Sequence, residues 1–250
     1  MMVAMAKPSH FVFPRPDNLD VPVWRYMDFT KFVSTLVNKG LFMCRADKLS
    51  DPFEGALSKP MIKYDDPKFL AMFANLDDVP GRLSRIYKDQ QATRHSAFIS
   101  SWHMSEFESA AMWKLYARTE EAICIRSTFA KLDSLLPSDV YAGKITYVPY
   151  ESAEFPIDVF SPFIYKRMSF EHEREIRALY VDPSLRYGES NDPLRPLGKW
   201  VSLDLSQLIG GVYVAPTTPE WFFDTVRATI KQFGFDFQVH RSKLDESPLW

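Results

Sequence analysis

Cysteine is scarce in this chain: 250 residues hold two, Cys44 and Cys124, each inside an apolar run (LFMCRA and AICIRS). Neither the number nor the spacing suits a zinc site or a disulfide framework, so both read as buried structural thiols in a reducing compartment. Long apolar runs are missing as well. None approaches membrane-spanning length, and the opening MMVAMAKPSHFVFPRP lacks an apolar core of signal-peptide length. The expectation is a soluble cytoplasmic protein with no membrane partner. Net charge is small, with 30 basic against 32 acidic side chains leaving -2. That balance removes any global argument for nucleic-acid steering and leaves only a local basic cleft as a route to it. Ser100 and Ser101 have no G-x-S-x-G elbow around them, no histidine pair has zinc spacing, and the glycines of GGVYVAP precede their strand where a phosphate turn needs them after it. Repeats and low-complexity tracts are absent too.

What is present suits a globular chain able to bury a large core, with 46% hydrophobic and 25% charged residues. Strands are expected at Val21–Asp28, Leu41–Ala46, Ala97–Trp102 and Ala122–Ser127, and alternation predicts another at Lys144–Tyr150. Helical spacing predicts a helix capped by Thr30 and stopped at Asn38-Lys39-Gly40, and others over Glu106–Ala117, Thr128–Leu136 and Ile157–Met168. The expected fold class is α+β: a mixed, mostly antiparallel central sheet with helices around it, in a single domain over 1–250. Residues 1–20 read as an extended N-terminal arm, 65–91 as a helical insertion broken at Pro80-Gly81, and 199–241 as a C-terminal strand–helix–strand subdomain.

The most unusual stretch is FEHEREIRALY, Phe170–Tyr180. As a strand it puts Glu171, Glu173, Glu175 and Arg177 on one face, because side chains alternate with a period of two. Carboxylates crowded in that way need partners and are open to pKa shifts useful to chemistry. The alternative is an amphipathic helix with a Glu173–Arg177 pair on a solvated face. Three other polar stretches fall where strands or strand ends are expected: Arg25-Tyr26, Arg45 to Asp47 running on to Asp51 and Glu54, and Ser100 to His103. Asp47, Asp51, Glu54, Glu171, His172, Glu173 and Glu175 together offer ligands suited to magnesium or manganese, so a metal-dependent nuclease is one reading.

Three blocks carry a resemblance: RYMDFTKFVSTLVNKGLFMCRADKLSDPFEG, SSWHMSEFESAAMWKLYA and YKRMSFEHEREIRAL. Together they resemble the bacterial and phage family called domain of unknown function twenty-nine seventy-one, which implies a fold and a role in phage defence but no settled reaction. More distantly, the order of Arg25 in VWRYMD, Ser100 and Ser101 in FISSW, and Glu173-x-Glu175 in FEHERE resembles the arginine–serine–glutamate branch of the ADP-ribosyltransferase fold. That resemblance implies NAD as a substrate and an acceptor macromolecule, nucleic acid or protein. It casts Glu175 as the catalytic carboxylate and Glu173 as the carboxylate nearest the acceptor. Ser100 or Ser101 supports the glutamate, Arg25 or Arg45 grips NAD, and Tyr26 or Trp102 supplies a stacking ring. No metal ligand is implied. The third reading is a non-enzymatic phage-sensing or interaction module.

Overall fold

The computed structural model describes residues 10–62, 81, 88–116, 121–156, 158–185 and 196–248. Most of the expected 65–91 insertion lies outside the described residues. Strand β1 (Pro22–Asp28) leads into helix α1 (Phe29–Asn38) and back along β2 (Gly40–Arg45). After the short helix α2 (Lys59–Ile62) come β3 (Ala97–Met104), α3 (Ala110–Tyr116), β4 (Ala122–Thr128), α4 (Phe129–Leu135), β5 (Tyr141–Lys144) and β6 (Thr146–Val148). The chain continues through α5 (Ser161–Ile164), β7 (Tyr165–Arg167), β8 (Glu175–Val181) and β9 (Gly198–Ser202). It closes with α6 (Leu205–Leu208), β10 (Gly211–Val214), α7 (Glu220–Gln232) and β11 (Val239–Arg241). No helix among the described residues is long and apolar enough to cross a membrane.

Nine strands form one sheet in the order β11-β10-β4-β1-β3-β2-β9, with β8 on β3 and β5 on β8. Every pairing in it is antiparallel except β10 with β11. The fold is thus the α+β class expected, with a mostly antiparallel central sheet. The segment 199–241 supplies strands to both ends of that sheet, β9 beside β2 and β10–β11 beyond β4.

The feature that positions the site is a fork at β3. Along one edge β3 pairs with β8 from Ala97↔Val181 to His103↔Glu175. Its other edge is divided: β2 takes the start, at Cys44↔Ile99 and Arg45↔Phe98, and β1 takes the end, at Trp24↔His103 and Val23↔Met104. Ser100–Trp102 therefore has a strand partner only on the β8 side, and β1 and β2 diverge around the gap. Period-two alternation sorts β3 into two faces. Phe98 and Trp102 join the main apolar cluster with Phe32, Leu36, Leu41 and Met43, whereas Ile99 and Ser101 face the fork.

Several expected boundaries shift for identifiable reasons. Helix α1 has Asp28 as its N-cap, two residues before Thr30, and ends through Lys39 in the left-handed region (φ 46°). Gly40 follows because a Cβ there would strike the Val201 backbone. Helix α3 begins at Ala110 instead of Glu106, with the Ser109 hydroxyl accepting from Met112 N (3.3 Å). The expected strand Lys144–Tyr150 is divided between β5 and β6. The Ile145 N–H donates to the Glu175 carbonyl (2.9 Å), and the chain then leaves β8 to pair with β7. Of the expected helix Ile157–Met168, position 157 lies outside the described residues and only Ser161–Ile164 is helical, with Pro162 in its first turn. Tyr165–Arg167 is strand, aligned on β6.

Candidate active site

FEHEREIRALY is neither one strand nor one helix. Met168–Glu173 makes a 3-10 turn, Arg174 adopts the left-handed conformation (φ 43°), and the strand begins only at Glu175. The turn is pinned from both sides, Arg174 N donating to the Glu171 carbonyl (3.1 Å) and Met104 N to the Arg174 carbonyl (2.9 Å). Strand alternation therefore applies to Glu175 and Arg177 alone. Glu171 and His172 turn out to solvent, so the expected face of three carboxylates is reduced to two. Glu173 reaches the same place from the turn.

Glu173, Glu175 and Arg177 are all buried and meet a second cation, Lys166, and a third carboxylate, Glu54. Arg177 is fully buried and donates to Glu54 (2.7 and 3.0 Å), Glu175 (2.7 and 3.0 Å) and the Phe163 carbonyl (2.6 Å). Lys166, from β7, reaches Glu173 (2.6 Å), Glu175 (3.3 Å) and Glu54 (3.4 Å). Three carboxylates against two cations leave one negative charge in a dry environment. Ser101 Oγ donates to Glu175 Oε1 (2.6 Å), and Tyr147 OH accepts from Glu175 N (2.8 Å). Burial pushes the Glu175 carboxyl up. The Arg177 and Lys166 charges, with hydrogen bonds from Arg177 and Ser101, outweigh that and hold it down at about 2. For Lys166, burial acts against the ammonium, but Glu175, Glu54 and Glu173 outweigh it and raise its pKa.

The two glutamates differ in what remains available. A carboxylate has about four acceptor sites. Those of Glu175 receive Ser101, two Arg177 donors and Lys166. Glu173 receives Lys166 and the Tyr116 hydroxyl (3.1 Å), which leaves room, and it borders the open cleft. Its main-chain carbonyl takes a 2.6 Å contact from His103 Nδ1, fixing the turn from beneath.

The cleft occupies the fork and has a volume of about 600 Å³, within the range of small-molecule sites. Its acid end holds Glu173, Glu54 and Lys166. Its other end runs along α1 at Lys31 and Ser34 and reaches Trp200 on β9. Arg25 bridges the gap: from β1, its Nη2 donates to the Phe42 carbonyl on β2 (2.8 Å), and its guanidinium lies 5.9 Å from the Trp102 ring centre. Burial lowers its pKa to about 10, so it remains charged at neutral pH. No carboxylate among the described residues pairs with it, in contrast to Arg177. A desolvated guanidinium without a counter-ion is a ready binder of phosphate or carboxylate. The walls are aromatic: Tyr26, Phe42, Tyr116, Phe170 and Trp200.

Of the residues expected from sequence, Arg25, Tyr26, Ser101 and Glu173 line this cleft, and Glu175 lies directly behind Ser101. Three do not reach it. Ser100 faces the other side of β3 and accepts from Trp102 Nε1 (3.2 Å), while Trp102 is 2% exposed within the main core. Arg45 is buried against Asp47 and the Pro196 carbonyl (3.0 Å). Sequence reasoning did not select Lys166, because β7 was read as helix, nor Phe42 and Trp200, which sit in strands that look like ordinary core. Glu54 and Arg177 were noticed as charges but gave no local sign of their pairing across 123 positions.

Apart from Glu171, which turns to solvent, the acidic residues considered for a metal are engaged elsewhere. Asp47 is held by Arg45 and Lys48, Asp51 by Arg167, and the three glutamates by Arg177 and Lys166. Among the described residues, no three histidine, cysteine or acidic side chains are grouped to hold a metal ion. A second depression, about 530 Å³, lies at the β10–β11 end and is lined by Tyr213, His240 and Lys243, with none of the expected site residues.

No protein-family model matches the chain, which leaves the resemblance to domain of unknown function twenty-nine seventy-one without support, and no curated protein matches it in sequence. Among solved structures, the chain is similar to DarT from Thermus sp. 2.9 in complex with ADP-ribosylated ssDNA, at 11% identity over 92% of this chain and 97% of that one, with a TM-score of 0.41.

Proposed function

We propose that the protein is an NAD-dependent ADP-ribosyltransferase-like enzyme acting on a nucleic acid or protein acceptor. One arrangement carries this reading: Ser101 bonded to Glu175 (2.6 Å), Glu173 beside it on the open cleft, and an uncompensated Arg25 in the same cleft. Breaking the bond between ribose and nicotinamide sends the bonding pair out with nicotinamide and leaves positive charge on the ribose. Fixed carboxylates at that point stabilise the charge as it develops, in a setting too dry for water to compete. Glu173, with acceptor capacity to spare, is the group that meets the ribose. Glu175, with its sites filled, is a positioning residue that fixes Lys166 and the turn bearing Glu173. This reverses the roles implied by the sequence resemblance. Arg25 receives the pyrophosphate, and Tyr26 supplies an aromatic wall.

The test is nicotinamide release from NAD in the presence of single-stranded DNA or a protein mixture, with thermal shift as a binding readout. Wild type is expected to be stabilised by NAD and to release nicotinamide. Glu173→Gln and Arg25→Ala are each expected to lose about 100-fold or more in rate, the scale of removing one group that stabilises transition-state charge. Growth arrest on expression, relieved by Glu173→Gln, tests the toxin or phage-defence setting. Stabilisation by magnesium or manganese with chelator-sensitive nuclease activity, and no response to NAD, overturns the proposal in favour of a nuclease. Indifference to NAD and metal alike leaves a binding module.

A further inference from the structure

We infer that Trp200 and Phe42 form the platform for the second base of a dinucleotide, making the cleft selective for a dinucleotide over a mononucleotide; this rests on the NAD-dependent reading above. Neither ring has a role in the core. The described apolar clusters include neither Phe42 nor Trp200, although both are large, half-buried and in strands. They are directly paired, Phe42↔Trp200, and therefore project to one face, with ring centres 5.3 Å apart at 59°. Both line the cleft. The platform is built into the backbone. Phe42 lies over Gly198, where a Cβ would meet its ring, so a glycine two residues before Trp200 lets Phe42 settle across β9.

The platform also stands at a suitable distance. From Glu175 on β8 to Trp200 on β9 the sheet passes through β3 and β2, at least three strand spacings or about 14 Å, to which the divergence of β2 from β3 beyond Ile99 adds. Two nucleosides joined through a pyrophosphate cover such a span, and one nucleoside with its phosphate falls well short. Arg25, bonded to the Phe42 carbonyl, stands between the ends at the position of the pyrophosphate. A base laid on an indole face is held by stacking that tolerates base identity, while Lys31 and Ser34 on α1 close the far wall.

The experiment compares NAD with nicotinamide mononucleotide, by calorimetric affinity and by nicotinamide release, for wild type, Trp200→Ala, Trp200→Phe and Arg25→Ala. Trp200→Ala is expected to weaken NAD about ten- to hundred-fold, the range of one lost stacking contact, while leaving nicotinamide mononucleotide unchanged. Trp200→Phe is expected to restore most of the NAD affinity, which a purely structural role for Trp200 does not predict. An NAD affinity altered less than threefold by Trp200→Ala, with Arg25→Ala still strongly impaired, overturns the platform and leaves the proposed reaction standing. So does an equal loss for both nucleotides. Wild type that binds neither nucleotide overturns the inference together with the reading beneath it.

Discussion

Glu173 and Glu175 are two residues apart and have opposite prospects on mutation. Glu175 stabilises two cations in a region with almost no water, so Glu175→Gln is expected to lower the melting temperature as well as activity. Glu173→Gln is expected to abolish turnover while the fold survives, since Glu175 and Glu54 still satisfy Lys166. Circular dichroism melts beside nicotinamide release separate the two cases. The same reasoning makes Arg177 the most sensitive residue of the group. Arg177→Met leaves Glu54, Glu173 and Glu175 sharing one lysine, and breaking a buried pair in this way costs about 3–5 kcal/mol in denaturant unfolding. A cost under 1 kcal/mol contradicts the idea that Arg177 neutralises both carboxylates. Residue types alone made Glu173, Glu175 and Ser101 stand out, but not the distinction between a saturated carboxylate and an available one. That distinction depends on Lys166 and Tyr116, whose contacts are non-local.

At the scale of elements, strands β1 to β4 were legible because each is a largely buried run of strand length. Short elements were not. The 3-10 turn at Met168–Glu173 and the three-residue β7 are too brief to show a period, and one left-handed residue, Arg174, shifts every side chain after it relative to a continuous strand. The fork at β3 was equally invisible, since it arises from two partners dividing one edge. The loop that carries Glu54 into the site depends on Gly55, whose φ of +72° lies in the left-handed region. A Cβ there would also run into the Phe163 ring. Gly55→Ala is therefore expected to cost at least about 1–3 kcal/mol and to loosen the Glu54–Arg177 contact. Its readout is the denaturation midpoint together with the NAD thermal shift, both of which should fall.

For the whole molecule, acid sensitivity follows from Glu175. Its folded pKa, about 2, lies below the ordinary carboxyl value of 4.5, so the native state favours the ionised form. The resulting stability is complete above pH 4.5 and is lost as pH falls toward 2. Glu175→Gln should flatten that portion of a stability–pH curve; an unchanged slope contradicts the assigned pairing. Fold class was legible because composition and alternation are summed over the entire chain. The cleft was less so because Arg25, Glu54, Ser101, Lys166, Glu173 and Trp200 are assembled by topology. Partners as remote as Glu54 and Arg177, 123 positions apart, impose an order on folding and on synthesis. A ribosome that has extended the chain through β1, β2 and β3 has made Arg25, Phe42, Glu54 and Ser101, yet Lys166, Glu173 and Glu175 still await β7, the turn after it and β8, and Trp200 awaits β9. The growing polypeptide therefore lacks the complete cleft until most of its length has emerged.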